Sequence, residues 1–153
     1  MATIEGARVE ASAHMEQPAA TQSRRLAEFA HSLRFEDIPS EVIEKTKDHM
    51  LDALGIALAS TGFEYASATR SGVAALGGSG EATVLAYGDR LPPADAALAN
   101  GVLIHGLDFD DTHVTAIYHA TAPALAAVLP AAQVVGASGR ELLVALVIGL
   151  EIG

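Results

Sequence analysis

The chain has 153 residues, a formal net charge of −10 and a pI near 4.8. That balance excludes the basic stripe of a nucleic-acid binder and electrostatic docking on anionic membranes. The absence of Cys excludes disulfides, thiolate nucleophiles and Cys-ligated metal centres, and the length suits one domain of about 150 residues.

Half of the residues are hydrophobic and the mean hydropathy is +0.31, yet aromatics make up only 5%. Much of the apolar content is alanine, which favours closely packed helices. The longest clean apolar run, Leu142 to Leu150, is far short of the roughly 18 residues that span a bilayer. Met1 to Ala20 carries acids and lacks an apolar h-region. It reads as a disordered leader, and the default expectation is a cytoplasmic protein.

Thr21 suits an N-cap, and Leu26, Phe29, Ala30 and Leu33 then follow helical spacing. Arg34 to Pro39 breaks the pattern. Ser40 is the expected cap of a longer helix. Its apolar stripe reads Val42, Ile43, Thr46, Met50, Leu54, Ala57 and Leu58, opposite a charged face of Glu41, Glu44, Lys45, Lys47 and Asp48. Thr61-Gly62 ends it. Tyr65 to Leu76 predicts a shorter helix, followed by the loop Gly77-Gly78-Ser79-Gly80. Ala82 to Tyr87 reads as a brief extended stretch.

Pro92 and Pro93 fit a helix start, with Asp95 in the first turn favouring the helix dipole. Ala96 to Leu107 continues as a helix apolar on most sides, and therefore buried. Asp108 to Tyr118 breaks helical spacing. Thr121 is the expected cap of the next helix, which carries Pro123 in its first turn, bends near Pro130 and stops at Gly136. Ser138 to Glu141 matches a capping box before a last helix over Leu142 to Ile152. That helix ends without a C-cap, as in a piece of something longer. Six helical segments and one extended stretch predict an all-α fold with no sheet.

The chemistry concentrates after the fourth helix. Asp108, Asp110, Asp111, His105, His113, His119 and Thr112 lie within fifteen positions of one another. Carboxylates and imidazoles held together supply general acids and bases. His105 lies on an apolar face, as a core histidine would. Asp110 and Asp111 read as structural or solvated, and His14, His31 and His49 are given no role. A metal site finds no closed ligand spacing, and a calcium loop fails because its sixth position is His113 where Gly is required. Asp108-Phe109-Asp110-Asp111-Thr112 is similar to the D-x-D-x-T nucleophile motif of haloacid-dehalogenase-like phosphatases, in which the first Asp attacks phosphorus. That motif follows a β-strand, whereas the residues here read as helix.

A broader resemblance runs from about Thr21 to Gly153. Ala97-Leu98-Ala99-Asn100-Gly101, His105-Gly106-Leu107-Asp108-Phe109-Asp110-Asp111-Thr112-His113 and His119-Ala120-Thr121-Ala122-Pro123 resemble the N-terminal helical domain of the MmgE/PrpD family. Asp52-Ala53-Leu54-Gly55 and Gly149-Leu150-Glu151 support it. The family includes 2-methylcitrate dehydratase, cis-aconitate decarboxylase and iminodisuccinate epimerase. The resemblance implies lyase or isomerase chemistry on small di- or tricarboxylates, without cofactor or metal, in a homodimer. By position, Asp108 would orient substrate or accept a proton. Thr112 would hydrogen-bond a substrate carboxylate, and His119 would bind the anion or transfer a proton, with His113 as a further catalytic candidate.

Family members are several times longer. From Leu91 to Gly153 the sole Lys or Arg is Arg140, so the site reads as acidic. The chain is therefore expected to be a truncated helical domain, inactive alone. The alternative is a non-enzymatic helical interaction module that keeps only the scaffold.

Overall fold

A computed structural model describes residues 21–153. The leader expected over residues 1–20 lies outside the described residues. Helix α1 (Gln22–Ser32) is capped by the Thr21 hydroxyl, which accepts the Arg24 N–H. A single 3-10 turn, Phe35–Asp37, leads to α2 (Ser40–Ser60) and α3 (Glu64–Leu76). Strands β1 (Ala82–Thr83) and β2 (Arg90–Leu91) precede α4 (Pro93–His105), α5 (Thr121–Val135) and α6 (Gly139–Ile152). The all-α expectation holds, but the expected absence of a sheet does not. Ala82 pairs with Leu91 and Thr83 with Arg90 in a two-stranded antiparallel ribbon. Only two residues of the extended stretch are strand. Ala86 then turns back at a positive φ of 62°.

Helix α4 packs against α2, α3 and α5, and α5 in turn packs against α6. The contact surfaces are mostly small: Ala53, Ala57, Ala66, Ala96, Ala99, Ala122 and Ala126 are buried around Leu103, Ile104, Leu125 and Leu146. Short side chains let helix axes approach closely, which is where the alanine content goes. A second cluster joins Ile38 and Ile43 to Val147, with Phe35 packed alongside.

Two boundary expectations shift. Pro39, not Ser40, holds the N-cap position of α2. Ala120, not Thr121, precedes α5, and the buried Thr121 hydroxyl has no partner. The stripe of α2 also rotates. Leu54 and Leu58 are 40% and 64% exposed, while Ala53, Ile56, Ala57 and Ser60 are buried. Close helix packing selects the small face of α2 and turns the leucines outward. The capping box at Ser138 and Glu141 forms as expected, and its hydrogen bonds hold the Glu141 carboxyl below the usual carboxylate range.

Buried polar groups fix the loops around α4. Asn100 has its side-chain carbonyl accepting the Leu85 N–H at 2.8 Å and its amide donating to the Thr83 carbonyl at 3.0 Å. The ribbon is thereby tied to the middle of α4. Arg70 on α3 pairs with Asp89 and, by that hydrogen bond, holds its carboxylate below the usual range. At the C-terminal end of α4, Ser60 donates to the Leu103 carbonyl at 2.6 Å and accepts from the Tyr65 hydroxyl at 2.8 Å. Tyr65 lies over Gly106, where an added Cβ would come within 2.7 Å of its hydroxyl oxygen. The ends of α2, α3 and α4 are thus locked together where the charged loop begins.

Asn100→Ala should lower stability by about 2–3 kcal/mol, because it strands a buried N–H and a half-buried carbonyl. Denaturant unfolding measures it, and a loss well under 1 kcal/mol would contradict the anchoring role.

Candidate active site

The chain leaves α4 at Gly106 and enters the Asp108–Tyr118 loop through a left-handed residue. Asp108 has φ 52° and Ile117 has φ 53°. Aspartate tolerates this region better than most residues, whereas a β-branched isoleucine is a true outlier there. Between them, His113 donates its N–H to the Tyr118 carbonyl at 2.8 Å and closes a turn. Asp111 accepts the Thr121 N–H at 3.2 Å and so fastens the far end of the loop to the start of α5. Backbone strain of this kind gathers at functional sites.

The folded loop brings four of the charged groups together. Asp110 is at the centre, with a side chain only 1% exposed. Nδ1 of His105 lies 3.1 Å and 3.2 Å from its two oxygens, and Nδ1 of His119 lies 3.3 Å from Oδ1. The two rings meet edge to face with centroids 4.8 Å apart. On its other side, Nε2 of His119 is 3.4 Å from Oδ1 of Asp108. Thr112 Oγ1 is 3.5 Å from His119 Nδ1. Asp108, Thr112 and His119 are therefore brought together as the sequence suggests.

His113 is not in this group. Its Nδ1 accepts the Ala116 N–H at 3.2 Å within the turn. His105 corrects the core-histidine expectation, because its side chain is 52% exposed at the end of α4. Asp110 takes the structural half of its expectation, since its side chain is buried and bonded to His105. The signal that could have found both was present: five positions separate two groups that flank a helix end, the span across which a turn can close.

Carboxylates only accept hydrogen bonds, so an ionised Asp110 takes the Nδ1 hydrogen of His105, while Nδ1 of His119 stands at ion-pair distance and within 3.5 Å of the Thr112 hydroxyl. Nε2 of His119 faces the Asp108 carboxylate, a pair across which a proton can pass. The arrangement places these two groups at an exposed edge, backed by a buried carboxylate. This is the geometry of a general acid–base pair.

A cleft of about 600 Å³ opens on the other side of the loop, between α2 and the end of α6. Lys45, His49, Thr112 and His113 line it. Lys45 and His49 were not singled out by sequence, since the loop and α2 are sixty positions apart. They supply a cation and an imidazole beside a loop that reads as purely acidic, although Glu41 and Glu151 also face the cleft. His49 Nδ1 is 3.9 Å from Asp111.

Residues 24–153 match the MmgE/PrpD N-terminal domain. The chain belongs to the MmgE/PrpD family. Over 132 residues it is 34% identical to the cis-aconitate decarboxylase of Mus musculus, covering 82% of this chain and 27% of that protein. It is 32% identical over 139 residues to the Aspergillus terreus enzyme of the same name, covering 84% and 27% respectively. A cis-aconitate decarboxylase-like protein of Aspergillus oryzae is 29% identical over 143 residues, covering 89% of this chain and 30% of its own length. The chain thus spans less than a third of these relatives.

Ile117 is 86% exposed, so it gains little from packing. Ile117→Asn should stabilise the fold by about 1 kcal/mol by removing left-handed strain. A lower denaturation midpoint would show that no strain is stored there.

Proposed function

We propose that residues 21–153 are part of the helical domain of a cofactor-independent lyase or isomerase, and supply one wall of its acid–base site. The substrate class is small di- or tricarboxylates, cis-aconitate among them. The observation that carries this reading is the His119–Asp108 pair braced by buried Asp110. His119 and Asp108 move a proton at the carbon next to a substrate carboxylate. In a decarboxylation the carbon–carbon bond to the departing carbon dioxide breaks, its electron pair stays with the substrate or moves through the double bond, and the proton goes to the carbon where that pair ends. Thr112 donates its hydroxyl to a substrate carboxylate, and Lys45 offsets its charge from the cleft. His113 serves the same wall from within the turn. Asp110 touches no substrate in this scheme and positions both imidazoles.

Most of the relatives' length has no counterpart here, and polyanionic substrates need more cations than this loop offers. The chain alone is accordingly inactive in this reading, and further cationic residues come from the remainder of a longer cytoplasmic enzyme. The phosphatase reading loses its support, because helix α4 precedes Asp108 where that motif needs a strand. The family match draws on the scaffold that an interaction module would also keep, so the activity must decide between the two.

The test is turnover of cis-aconitate and related acids by the product of the native gene. Asp108→Asn and His119→Gln should each lower kcat by about 10²–10⁴-fold, as loss of a general acid or base does. A native product that turns over none of these acids would favour the interaction-module reading.

The same reading includes a homodimer. Leu51, Leu54 and Leu58 lie on one outward ridge of α2 and are all exposed. Such contiguous apolar ridges mark interaction surfaces. Replacing Leu51 and Leu58 together by Lys should shift the sedimentation of the native product from dimer to monomer. An unreplaced protein that is already monomeric at high concentration would contradict pairing.

A further inference from the structure

We propose that His105, Asp108, Asp110 and His119 form a binding site for one divalent transition-metal ion of the zinc type. This goes beyond the lyase reading and stands without it. Each of the four residues offers one donor atom, and these atoms all lie within 4.8 Å of one another. Zinc bonds to imidazole nitrogen and carboxylate oxygen are about 2.0–2.2 Å, so neighbouring donors in a tetrahedral site sit about 3.3–3.5 Å apart. The Asp110 oxygen is 3.1 Å from the His105 nitrogen and 3.3 Å from the His119 nitrogen. These separations already match the edge of a tetrahedron. The wider ones close by side-chain rotation, which is open to His105 and Asp108 because their side chains are 52% and 82% exposed.

Charge points the same way. Among the described residues, Asp108 and Asp110 have no Lys or Arg in ion-pair range, and their charged partners are imidazoles alone. A buried carboxylate without a cation is costly. A dication neutralises the two carboxylates together. Two imidazoles with two carboxylates suit zinc, nickel or copper better than calcium or magnesium, which prefer all-oxygen sets. The ion would take the Asp108 carboxylate that the acid–base step needs. On the lyase reading it is therefore an inhibitor rather than a cofactor.

Binding can be read without turnover. Titration of the full chain with Co²⁺ alone should develop the intense visible absorption of four-coordinate cobalt at one equivalent, and Zn²⁺ should abolish it by displacement. His105→Ala and Asp108→Asn, both at exposed positions that leave the core untouched, should each weaken Zn²⁺ binding by about tenfold or more by calorimetry. His49→Ala and His113→Ala should leave it unchanged. Unaltered circular dichroism confirms that the variants fold. Absence of saturable binding would overturn the site, as would binding that survives His105→Ala but falls with His49→Ala. A chain that binds zinc but turns over no acid would leave the site standing and the lyase reading without support.

Discussion

Asp110 is the group on which the site depends. Its carboxylate is almost wholly removed from water and has no Lys or Arg in ion-pair range among the described residues. It is satisfied by the Nδ1 hydrogen of His105, and Nδ1 of His119 converges on it at ion-pair distance. That contact orients the His105 ring with Nδ1 toward the carboxylate, and the packing of His119 beside it presents the far nitrogen of His119 to Asp108. An acceptor with no alternative partner thereby sets the chemistry of the groups around it.

Holding Asp110 in that position is a task for the scaffold. The loop leaves α4 at a point where Ser60, Tyr65 and Gly106 lock three helix ends together. It returns at α5, whose first turn is tied to Asp111. Alanine-lined contacts bring α2, α4 and α5 close enough for this to work. They also place Lys45 and His49 beside Thr112 across the cleft. The core composition and the site geometry are consequences of the same close packing.

Much of this was legible in the sequence. Apolar spacing, prolines and capping residues gave six helices, and the loop from Asp108 to His119 stood out by its density of titratable groups. What failed was the choice of face and partner. On α2 the larger leucines outweigh alanines in any hydropathy pattern, yet close packing buries the small residues. His105 follows the helical period of an apolar helix, but it falls on the last turn, where the side chain can reach back into the loop. Lys45 and His49 join the cleft through tertiary contact, which no local spacing encodes. The short ribbon depends on Asn100, a single polar residue inside an otherwise apolar helix. That oddity marked a buried anchor.

The most direct test of this account is the protonation of the imidazole nitrogens of His105 and His119, read by nitrogen-15 NMR. The bracing by Asp110 predicts a hydrogen on Nδ1 of His105, lost from that fixed position in Asp110→Asn. An unprotonated Nδ1 of His105 while Asp110 is ionised would contradict it, and the acid–base pair at His119 would lose its brace.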